Sequence, residues 1–164
     1  MQVYPEGSQD FFYKGLAAQI SFVTDPQGRA TALVYHQNGL DKPAPRIDEA
    51  QAQQIADTLA QRVKSAAPAA GTEAALRHQI EAFQQDTPDF DAMTNGLATI
   101  TRPQVPKIER QFELLGELQS LSFRGVGFEG WDIYEAKFAN GITICRILLT
   151  PDNKITGLRF EWGP

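Results

Sequence analysis

Trp131-Asp132-Ile133-Tyr134-Glu135-Ala136-Lys137-Phe138, then Ala139-Asn140-Gly141, then Ile142-Thr143-Ile144-Cys145-Arg146-Ile147-Leu148-Leu149: two runs rich in β-branched and aromatic residues stand on either side of Asn-Gly. Asn-Gly is the strongest short hairpin signal in the chain. The second run is apolar on both faces, as a central strand is. Upstream, Leu121 and Phe123 alternate with Ser120, Ser122 and Arg124, and Gly127 to Gly130 makes a turn. Downstream, Pro151-Asp152-Asn153 turns the chain again, and Leu158, Phe160 and Trp162 line one face of a last strand. Four strands in meander order predict an antiparallel sheet whose apolar face needs a cover.

Helical patterns ahead of it can supply that cover. Asp48 is a good N-cap, with Gln51 placed three residues on for a capping box. Ala52, Ile55, Ala56, Leu59 and Val63 then recur on one stripe until Ser65 to Gly71 breaks it. A second helix, capped by Thr72, sets Leu76, Ile80 and Phe83 on one face. Phe90, Met93, Leu97 and Ile100 fit a third, although Gly96 in its middle costs about 1 kcal/mol against Ala. A fourth runs from about Pro103 to Leu115, and Gly116 stops it.

Before Asp48 the pattern is β. Ala18, Ile20 and Phe22 alternate with Gln19, Ser21 and Val23, Asp25-Pro26-Gln27-Gly28 turns, Ala30 to His36 pairs back, and Asn38-Gly39 turns again. Pro43 and Pro45 confine residues 42–46 to an edge strand or extended connector. Such a meander is too small to be stable alone. The expected class is therefore α+β: a small antiparallel meander over 1–47, then a domain over 48–164 with about four helices packed on a four-stranded antiparallel sheet.

Net charge is −5, and residues 1–47 hold four acidic and four basic groups, so the whole acidic excess lies in 48–164. No cluster of Lys and Arg suits a phosphate backbone, so nucleic acid is not an expected partner. Cys145 is the single cysteine, which rules out an internal disulfide. No run of about 18 apolar residues predicts a membrane-spanning helix. Residues 1–7 lack the basic-then-apolar order of a secretory signal, which leaves a cytoplasmic protein or a fragment with an added start Met.

Ala18 to Arg29, then Leu33-Val34-Tyr35-His36-Gln37-Asn38-Gly39, closing on Ala44-Pro45-Arg46-Ile47, carry Asp-x-x-Gly and His-Gln-Asn-Gly at fixed offsets, with Phe11-Phe12 at the entry. This stretch, about residues 11–47, resembles the β-rich tail that follows the catalytic domain in β-lactamase-like serine hydrolases of the penicillin-binding type. Leu115-Gly116, residues 123–126, 130–134, Phe138 and Asn140-Gly141 are similar to extensions after such tails. Helices followed by a curved antiparallel sheet are also similar to cystatin-like and nuclear-transport-factor-2-like folds, a likeness of element order alone. The resemblance implies a secreted or periplasmic parent enzyme whose catalytic residues lie outside this chain.

Within the chain the catalytic motifs of such enzymes are absent. Ser8, Ser21, Ser65, Ser120 and Ser122 have no Lys three residues on, Lys154-Ile155-Thr156-Gly157 has one residue too many for Lys-Thr-Gly, and there is no Gly-x-Ser-x-Gly. His36 and His78 lack metal-ligand spacing, so neither a metal nor another cofactor is expected. His36 is expected beside a hairpin turn, His78 on an exposed helical face, and Cys145 as a small apolar residue of a central strand. Gly125, Gly127 and Gly130 lie between strands, where hairpin geometry explains them better than a phosphate loop. Glu129, Asp132 and Glu135 stand near Tyr134 and Arg146; a solvated strand face with salt bridges is expected there, with a half-barrel pocket as the alternative.

The expected function is a non-catalytic accessory or interaction module of a larger serine hydrolase. Its partner would be an upstream catalytic domain of the same polypeptide or another protein, and its location periplasmic or secreted, or cytoplasmic if the chain stands alone. The alternative is a half-barrel binder of a small apolar or acidic ligand, or a small enzyme. Trp131, Tyr134, Arg146 and Trp162 are the candidate ligand-binding residues. Because Trp131 and Tyr134 are three apart, a regular strand points them to opposite faces.

Overall fold

The structure is a computed structural model that describes residues 2–37 and 39–162. It is α+β, with two antiparallel sheets. The chain forms two compact units, Met1–Ile55 and Ala56–Pro164.

The first unit is a five-stranded meander: β1 (Val3–Pro5), β2 (Asp10–Tyr13), β3 (Ala18–Thr24), β4 (Ala30–Gln37) and β5 (Leu40–Pro45), each paired to the next. Alternation marks β3 in the sequence, and a run of residues that pack well on a sheet marks β4. Alternation does not mark β1 and β2, which are too short to show a period. Asp25 closes the first expected turn, accepting from Gly28 N at 2.9 Å, with Gly28 at φ 78°. In the second expected turn Asn38 lies outside the described residues. The prolines of β5 sit on the edge, where no further strand asks for their missing N–H.

The helix α1 (Glu49–Ser65) starts with the expected capping box: Gln51 N donates to Asp48 Oδ1 at 2.7 Å and Asp48 N to Gln51 Oε1 at 3.2 Å. Its apolar stripe is not a core stripe. None of its residues is buried, and Ile55 remains 58% exposed. The expectation of about four helices packed on the sheet is corrected to three.

Those three are α2 (Thr72–Gln84), α3 (Asn95–Thr101) and α4 (Val105–Leu115), the last entered through a 3-10 turn at Arg102–Gln104. They cover one face of the sheet β6 (Leu118–Val126), β7 (Asp132–Phe138), β8 (Gly141–Leu149) and β9 (Ile155–Glu161). Leu76, Ile80 and Phe83 of α2 and Phe112 of α4 are fully buried against Tyr134, Ala136, Phe138, Cys145 and Ile147. The other face of the sheet presents Ile133, Glu135, Ile144, Arg146, Arg159 and Glu161 by strand alternation.

Three local expectations shift. Thr72 is the first residue of α2 and does not cap it; Gly71 precedes it at φ 84°, without a side-chain cap. The third helix begins only at Asn95, behind Thr94, whose side chain accepts from Leu97 N. Phe90 to Met93 instead runs as a connector, and Met93 bridges Ile155 in parallel while Ile155 N donates to Ala92 O at 2.8 Å. The β7–β8 hairpin turns on Ala139-Asn140, with Phe138 and Gly141 as its closing pair. The end of α4 holds it there, since Asn140 N donates to Leu115 O at 2.9 Å and Asn140 Nδ2 to Leu114 O at 3.2 Å.

Cys145 is fully buried on β8, and burial pushes its thiol up to about 12. A thiol reagent near pH 8 should therefore label it only at the rate at which the native state opens, and at once in denaturant. Fast native labelling would contradict the burial. Between about pH 9 and 12 only the unfolded chain gains the thiolate, so stability should fall as pH rises through that window.

Candidate functional site

The four candidate residues divide between the faces of the β6–β9 sheet. Tyr134 and Trp162 lie on the helix-covered face. Tyr134 is fully buried, and the Trp162 ring packs 5.1 Å from Phe112 and 5.3 Å from Phe160, centroid to centroid. Trp131 and Arg146 lie on the open face and line one small cavity of about 90 Å³ with Gly127, Phe128, Glu129 and Arg159. The structure brings these two together and places the other two elsewhere.

Glycines build this cavity. The turn is closed by Gly130 N donating to Gly127 O at 2.8 Å, and Gly127 N returns to Trp131 O at 2.8 Å. That tight turn displays Phe128, which is 82% exposed. The Trp131 ring lies over Gly157 of β9, where a Cβ would stand 2.3 Å from Cη2, so only glycine fits beneath it. Arg146 Nε donates to Glu161 Oε1 at 2.7 Å, and Arg159 Nε lies 4.0 Å from the same oxygen. The hydrogen bond from Arg146 holds the Glu161 carboxyl below its usual range, with the two guanidinium charges adding to it. On the same face Arg124 pairs with Glu135 at 2.7 Å, the solvated salt bridge expected of that strand.

Asp132 departs from that expectation, being fully buried. The Arg62 guanidinium pairs with its Oδ1. Ala69 N donates to Oδ2 at 2.8 Å, as does the Thr72 hydroxyl at 2.7 Å. The Tyr134 hydroxyl lies 2.9 Å from Thr72 Oγ1, which also lies 2.8 Å from Ala69 O. Burial raises the Tyr134 phenol above its ordinary value. Every oxygen is satisfied by protein, so this cluster is a joint between α1, the 67–71 connector and β7.

A second polar chain crosses β2 to β5. His36 Nδ1 lies 2.7 Å from Asp41 Oδ1, His36 Nε2 lies 3.1 Å from Ser21 Oγ, and Ser21 Oγ donates to Asp10 Oδ1 at 2.7 Å. The distances are those of a Ser-His-Asp triad, but the protons run the wrong way. A nucleophilic serine must give its proton to histidine. Here Ser21 Oγ donates to the Asp10 carboxylate, which at 2.7 Å is nearer than His36 Nε2 at 3.1 Å. The backbone beside Ser21 is spent on pairing as well: Phe22 N donates to Gln9 O at 2.9 Å. The arrangement pins four strands together. Among the described residues no group of three His, Cys, Asp or Glu forms a metal-ligand set, and no helix is long and apolar enough to cross a membrane.

No family model, curated protein or solved structure matches the chain.

Proposed function

We propose that the chain is a non-catalytic accessory module of a larger, periplasmic or secreted β-lactamase-like serine hydrolase, and that the β1–β5 sheet is the part that meets the catalytic domain. One observation carries this reading: among the described residues of Met1–Ile55, only Ala18 is buried. Phe11, Ile20, Phe22, Leu33 and Tyr35 share one face by register and remain half-buried, with Phe11 and Phe22 edge to face at 5.5 Å. A sheet needs a second layer over such a face, because ordering each residue costs about 1–2 kcal/mol of backbone entropy. The resemblance of residues 11–47 to the tail of these hydrolases supplies the partner.

Three measurements test it. The coding sequence upstream of Met1, or a neighbouring reading frame, should encode a domain with Ser-x-x-Lys. In the presence of that domain, the β3 and β4 amides should exchange at least about tenfold more slowly, and Phe22→Glu should abolish the protection. The chain alone should release no product from a chromogenic β-lactam or ester. Turnover lost on Ser21→Ala, or unchanged exchange beside the catalytic domain, would overturn the reading. The ligand-binder alternative is favoured by one observation, the cavity beside Trp131.

A further inference from the structure

We propose that the open face of the β6–β9 sheet carries a binding cleft for a small monocarboxylate bearing a flat apolar group, with Trp131 and Phe128 as its walls and Arg159 and Arg146 as its anion-holding end. The proposal concerns a ligand of the second unit and stands whether or not the β1–β5 sheet docks on a hydrolase.

Shape comes first. The cavity of about 90 Å³ is ring-sized. Its Trp131 wall is fixed, because the ring rests on the backbone of Gly157. A rigid aromatic surface loses little conformational freedom when a ligand settles on it. Phe128 is held out at 82% exposure by a hydrogen-bonded glycine turn, so the second wall stands in water unless something covers it. Leaving a large apolar side chain exposed forgoes its burial, which a ligand between the two rings would recover in part.

Charge then selects the ligand. Arg146 and Arg159 share one carboxylate, Glu161, and Arg159 is 70% exposed and only 4.0 Å from it. Arg146 already spends Nε on Glu161, while its Nη1 lies 3.7 Å from the position of a Cβ on Gly127, at the cavity lining. One guanidinium charge on the pair is thus uncompensated by Glu161. A planar carboxylate matches a guanidinium edge with two parallel hydrogen bonds. Glu129, the one acid among the lining residues, is exposed and sets the limit: a second negative charge on the ligand would stand against it. Hence one carboxylate and one flat apolar group.

The test uses 2-naphthoate as probe and nitrogen-15 NMR of the full chain as readout. The Trp131 indole N–H and the Gly157 amide should shift saturably, while the Trp162 indole, on the opposite face, should not. Arg159→Gln should weaken binding about tenfold, and neutral 2-naphthamide should bind about tenfold more weakly than the acid. Glu129→Gln should tighten it about threefold, the opposite sign from the arginine variant. Arg159 and Glu129 are both exposed, so neither variant threatens the fold. No saturable shift up to about 10 mM probe, which corresponds to less than about 3 kcal/mol of binding, would overturn the proposal. So would equal binding of the amide, or an unchanged affinity in Arg159→Gln.

Discussion

Asp132→Ala is expected to lower the unfolding free energy by about 3–5 kcal/mol, because it strips the partner from a half-buried arginine and leaves polar groups unpaired inside the protein. The Arg62 side chain is 26% exposed and Asp132 not at all. The same substitution removes the acceptor of Ala69 N, while the Thr72 hydroxyl keeps Ala69 O at 2.8 Å. Urea unfolding followed by tryptophan fluorescence suits the measurement, since both tryptophans lie in Ala56–Pro164. With a urea slope of about 2 kcal/mol/M, the midpoint should drop by about 2 M at unchanged slope. Asp132→Asn keeps an acceptor oxygen, loses the charge and should fall between. A loss below about 1 kcal/mol would mean that water replaces the joint.

Phe112→Ala should cost about as much, 3–5 kcal/mol, by a different route. Phe112 is fully buried, and four rings surround it: Phe160 at 5.0 Å, Trp162 at 5.1 Å, Phe138 at 5.6 Å and Phe83 at 6.1 Å between centroids. Removing it opens a cavity that α2, α4 and two strands cannot close together. Besides the lower midpoint, the near-ultraviolet circular dichroism of Trp162 should collapse while that of Trp131, on the other face, persists. An intact Trp162 signal would mean that the cluster does not hold that ring.

The elements that the sequence revealed are those whose period outlasts their ends. β7 and β8 show alternation and apolar character over seven and nine residues. Leu76, Ile80 and Phe83 mark α2 at helical spacing, and all three are buried. The stripe of α1 has the same period and buries nothing, because period reports a face and not a partner. Asn140-Gly141 located the hairpin, but the hydrogen bonds that Asn140 donates to the Leu114 and Leu115 carbonyls hold its turn one residue earlier. Local turn chemistry carries no information about such distant acceptors.

The candidate residues fared by the same logic. Alternation placed Trp131 and Tyr134 on opposite faces, and the fold does so. Arg159 and Gly157 could not be joined to Trp131 and Arg146 without the β8–β9 register, which pairs Arg146 with Arg159. Phe128 did have a local sign: an aromatic residue between turn glycines. Asp132, Thr72 and Arg62 come together across 60 and 70 residues, and no spacing rule reaches that far, while Ser21, His36 and Asp41 meet only through the register of three strands.

The parallel bridge between Met93 and Ile155 also sets a clock on biosynthesis. Thr94 N donates to Ile155 O at 2.9 Å, and Ile155 N donates to Ala92 O. At about 5–20 residues per second, the ribosome needs about 3–12 s after Thr94 to deliver Ile155, and longer to clear it from the exit tunnel. During that interval α2 and α4 can curl, yet Leu76, Ile80 and Phe83 lack the last strand of the surface they close on. The nascent chain thus shows its stickiest helical faces before β9 exists to hide them. A chaperone that samples emerging apolar helices would meet this chain within the window, and slow codons between 95 and 155 would widen it.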